Sequence, residues 1–121
     1  MTEYIVLIPG NEAQWAEADE AQRERVYGLH QKFAAALAER GHTVTGGAEL
    51  LPSREARTVR ADSDGLAITD GPYAESVEQL SGFYTIKSDD LDDLLQVVGI
   101  LAEGETGLEV RPLAGGSDGP A

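Results

Sequence analysis

Five residues, Tyr4-Ile5-Val6-Leu7-Ile8, form an unbroken apolar run rich in β-branched side chains and stopped by Pro9-Gly10. Side chains alternate between the two faces of a strand, so a strand that is apolar at every position needs cover on both faces. The chain must therefore supply, or recruit, a layer on each side of its first strand.

The remaining pattern supplies one layer. Over residues 21–40, Val26, Leu29, His30, Phe33 and Leu37 recur at helical spacing, and Gly41 suits the left-handed cap that ends a helix. Residues 44–50 read as a weaker strand, where Gly46-Gly47 marks a bulge or a close approach to the backbone and Pro52-Ser53 closes the segment. Residues 56–61 and 66–69 flank Asp62-Ser63-Asp64-Gly65, a turn composition that joins two strands into a hairpin. Residues 80–87 resume as a strand. Ser88 or Asp89 then caps a second helix whose Leu91, Leu94, Leu95, Val98 and Leu101 share one face. Asp89, Asp90, Asp92 and Asp93 crowd its first turns, where the helix dipole favours them; capping explains them more simply than a metal site. Residues 108–111 alternate as a last strand, which completes a domain over 1–113. The Gly-rich residues 114–121 read as a disordered tail.

The order strand, helix, strand, hairpin, strand, helix, strand, with right-handed crossovers, places both helices on one face of the sheet. It predicts an α+β, ferredoxin-like βαβ(ββ)βαβ sandwich with an added hairpin. The other face then asks for the sheet of a symmetric partner, so a homodimer is expected.

At 121 residues the chain is one domain, able to remove roughly two-thirds of its unfolded surface from water. With no cysteine it has no disulfide, thiolate metal site or cysteine nucleophile, which fits a cytoplasmic location. Residues 4–8 are too short for a membrane span. Against 9 Lys and Arg stand 22 Asp and Glu, a formal charge of −13 that repels nucleic acid and anionic lipid and favours solubility.

Two histidines are present. His42 follows the helix end and reads as a solvated capping residue. His30 lies on the apolar face, where it is either a core histidine satisfied by a backbone carbonyl or a general base whose free nitrogen meets a cavity. Asp70, before Gly71-Pro72, is a turn initiator that also holds a carboxylate in a fixed direction. Tyr84 alternates with Phe83, so one ring enters the core and the other faces a partner or a cavity. Trp15 sits in a loop-like acidic segment, where packing over the first helix explains it more simply than capping a pocket. Arg57 and Arg60 are rare cations, available to an anionic substrate or to exposed carboxylates. No phosphate loop, dinucleotide fingerprint, serine nucleophile elbow or two-histidine metal site is present, so the expected site has no cofactor and no metal.

The run Asp70-Gly71-Pro72-Tyr73-Ala74-Glu75, followed by Glu78-Gln79-Leu80 and Gly82-Phe83-Tyr84, resembles the DGPF signature of the YCII-related proteins, and the likeness extends over nearly the whole chain. The resemblance implies a dimeric α/β barrel and a helix histidine paired with an aspartate, positions that match His30 and Asp70. Glu75 and Glu78 match charged positions of the signature; three apart, they fit one side of a helical turn, as pocket-lining groups or as a solvated pair. Tyr73 departs from the usual Phe and adds a hydroxyl. The substrate-binding set is then Tyr73, Glu75, Glu78 and Tyr84, around an unknown small-molecule ligand. The family includes dehydrochlorinase-like activity, which implies a cofactor-independent lyase or isomerase with His30 as the base. The same likeness implies an alternative, a non-catalytic ligand-binding or regulatory dimer with a protein partner such as a sigma factor.

Overall fold

A computed structural model describes residues 1–104 and 107–115. Most of the expected tail, including Asp118-Gly119-Pro120, lies outside the described residues. The first strand, β1 (Thr2–Asn11), buries Tyr4, Val6 and Ile8 and leaves Ile5 and Leu7 half-buried. Within the chain it is therefore covered fully on one face and in part on the other.

A short helix, α1 (Glu12–Glu17), follows where the sequence suggests a loop. Six residues are too few to display an apolar repeat, but Asn11 gives the local signal: its side chain accepts from the Gln14 N–H at 3.1 Å. Helix α2 (Glu20–Glu39) opens on a capping box in which Asp19 accepts from the Gln22 N–H and the Gln22 side chain accepts from the Asp19 N–H. It closes at Gly41, with φ of +82°. There the Gly41 N–H reaches the Ala38 carbonyl and the His42 N–H the Leu37 carbonyl, the paired bonds of a Schellman cap. Trp15 packs on α2 as expected, edge-on to Tyr27.

Strand β2 (Thr43–Glu49) carries a bulge between Val44 and Gly46. The hairpin strands β3 (Arg57–Asp62) and β4 (Gly65–Asp70) form a separate two-stranded sheet, tied at its base by the Thr58 hydroxyl donating to the Gly71 carbonyl at 2.8 Å. Strand β5 (Glu78–Ser88) starts before the expected position. The cap of helix α3 (Leu91–Ala102) is neither Ser88 nor Asp89 but Asp90, whose carboxylate accepts from the Asp93 N–H at 3.1 Å. On α3 the buried positions are Leu94, Val97, Val98 and Leu101, while Leu91 and Leu95 are exposed. The apolar stripe is rotated from the face that the spacing predicts. Strand β6 (Glu109–Pro112) ends the sheet.

The four-stranded sheet has the order β2-β5-β1-β6 with every pair antiparallel, consistent with a ferredoxin-like fold. It stays open, and no barrel closes among the described residues. Tyr4, Val6, Ile8 and Ile86 of the sheet meet Phe33 and Leu37 of α2 and the buried stripe of α3 in one core. Burying side chains of this size contributes about 1.5–3 kcal/mol each. That core fixes the angle at which α2 presents His30 to β5.

Candidate active site

Helix α2 turns the stripe Val26, His30, Phe33 and Leu37 toward the sheet, as its spacing requires, with Phe33 and Leu37 buried and His30 half-buried. Across from it Tyr84 stands on β5 opposite Val6, on the helix-facing side. Its hydroxyl lies 2.7 Å from His30 Nδ1. The two rings stack with centroids 5.8 Å apart, and the Phe33 ring meets Tyr84 edge-on at 5.2 Å. On the strand side, a Cβ placed on Gly47 would sit 2.7 Å from the Phe83 carbonyl oxygen and 3.0 Å from Tyr84 Cδ1, so β2 reaches this distance only with glycine. The bulge falls at Thr45, just before the glycine pair, and the close approach falls at Gly47, where it confines Tyr84.

Burial pushes the His30 pKa down, opposed by the negative charge of Glu49, and burial pushes the Tyr84 pKa up. Both groups are held in their uncharged forms near neutral pH. A neutral imidazole that donates Nδ1–H to the Tyr84 oxygen has its Nε2 lone pair open, which is the state a general base requires. Glu49 and Tyr27 frame the same corner, with the Tyr27 hydroxyl donating to Glu49 Oε1 at 3.4 Å.

Asp70 stands elsewhere. At the end of β4, 89 % exposed at the side chain, it pairs with Arg57 Nε at 3.1 Å, and no hydrogen bond or ion pair joins it to His30 among the described residues. Tyr73 is 82 % exposed, with the Arg60 guanidinium 5.6 Å over its ring. Glu75 lines an open cleft of about 330 Å³ with Ser53, Arg54, Gly71 and Pro72. Glu78 lines a groove of about 490 Å³ with Leu7, Pro9, Leu80 and Leu108. The helical turn suggested for Glu75 and Glu78 is absent, since Glu75 precedes β5 and Glu78 begins it. Of the sequence-derived set, the structure brings together His30 and Tyr84.

His42 is a correction. It is buried rather than solvated, with Nδ1 2.8 Å from Ser88 Oγ and Nε2 2.7 Å from Asp93 Oδ2, a buried His–Asp pair of the kind catalytic pairs use. Hydrogen bonds from His42 and then Arg40 hold the Asp93 carboxyl below its usual range, against a smaller opposing effect of desolvation. Both ring nitrogens of His42 are occupied. Ser88, 1 % exposed, also bonds the Asp90 backbone, so the network joins the end of α2 to the start of α3. Its partners lie 46 and 51 residues away, beyond any local pattern. Of the acidic cluster Asp90 caps α3 and Asp93 joins this network, and no group of three or more His, Asp or Glu suited to a metal comes together among the described residues. Nor is any described helix long and apolar enough to cross a membrane.

Among known proteins, an uncharacterized protein of Rhizobium meliloti (strain 1021) is 44 % identical over 70 residues, a segment that spans 55 % of this chain and 56 % of that relative. The profile of the YCII-related domain matches residues 2–114, from the first strand through the last, including the helix that bears His30 and the strand that bears Tyr84. The chain belongs to the YCII-related family.

Proposed function

We propose that the protein is a small, cofactor-independent enzyme of the lyase or isomerase type in which His30 transfers the proton and Tyr84 orients it. The observation that carries this reading is the 2.7 Å contact between His30 Nδ1 and the Tyr84 hydroxyl, in a setting that keeps the imidazole neutral. With Nδ1–H donated to Tyr84, Nε2 removes a proton from a carbon beside a carbonyl or within an activated ring. The C–H electron pair then moves into the enolate or the new double bond. Return of the proton to a different carbon completes an isomerisation; departure of a leaving group with its electron pair completes an elimination. A correctly placed acid–base group contributes roughly 10²–10⁴ in rate. Tyr84, rather than the Asp70 that the resemblance pairs with His30, is the group bonded to the imidazole in this reading.

The active form is a homodimer. Ile5, Leu7 and Phe83 are only half-buried on the sheet face away from the helices, and a second sheet laid on that face would complete the burial that residues 4–8 ask for. A screen of activated carbonyl and halogenated ring compounds in D2O tests the enzymatic reading. Deuterium uptake or loss of the leaving group in one of them supports it, and its failure across the panel counts against it.

One observation favours the second reading, a binding or regulatory module. Val59, Leu66 and Ile68 share one exposed face of the β3–β4 hairpin, an apolar surface of the kind that docks a protein partner.

A further inference from the structure

A base that is disfavoured by burial in its charged form needs a negative group nearby once it has taken a proton. Asp70 is turned to solvent and paired with Arg57. Glu49 stands where such a group is needed. It ends β2 opposite Gly82, two positions after Gly47, which pairs with Tyr84. Residues two apart on a strand share a face, so Glu49 lies on the same helix-facing side as Tyr84. From the helix, Tyr27 sits three residues before His30, on the adjoining surface of α2, and its hydroxyl reaches Glu49 Oε1 at 3.4 Å. The carboxylate is thereby tethered to the turn of α2 that carries His30.

We propose that Glu49 is the positioning carboxylate of this site and that it stabilises the protonated form of His30, the charge-balancing half of the role that the family resemblance implies for Asp70. Two titratable groups act on the imidazole, Tyr84 from β5 through its hydrogen bond and Glu49 from β2 through its charge, and Tyr27 of the same helix holds Glu49. The charge that acts on it is that of Glu49, which raises the His30 pKa against the larger lowering by burial. This assignment rests on His30 as the proton-transfer group, but its test needs no substrate.

The His30 Cε1–H resonance is followed against pH by NMR in the wild-type protein, in Glu49→Gln and in Asp70→Asn. Glu49 is exposed, so its amide variant keeps the fold. The titration midpoint of His30 is expected to fall further in Glu49→Gln and to stay at the wild-type value in Asp70→Asn. An unchanged midpoint in Glu49→Gln overturns the proposal, and so does an equal fall in Asp70→Asn, which would mark a diffuse charge effect. Turnover of a substrate by His30→Ala is a separate measurement. A shifted midpoint with surviving turnover would reject the enzymatic reading alone, and an unshifted midpoint with abolished turnover would reject the Glu49 assignment alone.

Discussion

Tyr84, whose ring meets Phe33 edge-on and lies close against Gly47, brings its hydroxyl 2.7 Å from Nδ1 of His30, the one histidine of the chain that is only partly covered. Residues 54 apart in sequence thus make the central contact of the site.

Removing the hydroxyl alone should therefore release the imidazole. Tyr84→Phe keeps the ring against Phe33 but leaves Nδ1 without its partner. Nitrogen-15 shifts of His30 should report one dominant tautomer in the wild-type protein and a mixture in the variant. An unchanged pattern would mean that Tyr84 does not set the tautomer.

Gly47→Ala should destabilise the fold by about 1–3 kcal/mol, the usual cost of forcing atoms into a filled space. The added Cβ would meet the Phe83 carbonyl at 2.7 Å, and β2 must move to relieve it. Urea denaturation measures the loss, and the His30–Tyr84 contact should loosen with it. By comparison Phe33→Ala, which empties a fully buried position, should cost about 3–5 kcal/mol.

Acid should weaken the fold in two steps. His30 has a depressed pKa in the folded state, so its contribution is present above the unfolded value near 6.5 and is lost as pH falls through the folded value. Asp93 is also depressed, so the stability it adds is present above about 3.8 and is lost as pH falls through its folded pKa. Asp93→Asn should lower the urea midpoint at neutral pH, and the difference from wild type should vanish in strong acid. A gap that persists there would assign the loss to shape rather than charge.

Sedimentation at micromolar concentration should show a dimer, and Leu7→Glu or Phe83→Glu should give monomers by placing a charge on the open sheet face. A monomeric wild-type protein would contradict the expected partner sheet.

The layer order was legible because it rests on local signals: the apolar residues 4–8, the helical stripe ending in Phe33 and Leu37, and the Gly46-Gly47 interruption. What was not legible depends on contacts across the chain. His42 follows a helix-ending glycine and looks solvated, yet Ser88 and Asp93 close over it from distant elements. Glu49 belongs to a weak edge strand in an acidic chain, and nothing local sets it apart from the other carboxylates. His30 and Tyr84 were each singled out by their place on a helix face or strand. Their partnership required the register of β5 beneath α2.

The most direct test of the account compares the two histidine sites in one assay. Once a compound exchanges its carbon-bound proton with D2O, the rate is measured for wild type, His30→Ala and Asp93→Asn, each checked for folding by circular dichroism. His30→Ala is expected to lose the exchange while folded Asp93→Asn retains it. Loss in Asp93→Asn with full activity in His30→Ala would contradict it and move the chemistry to the buried His42–Asp93 pair.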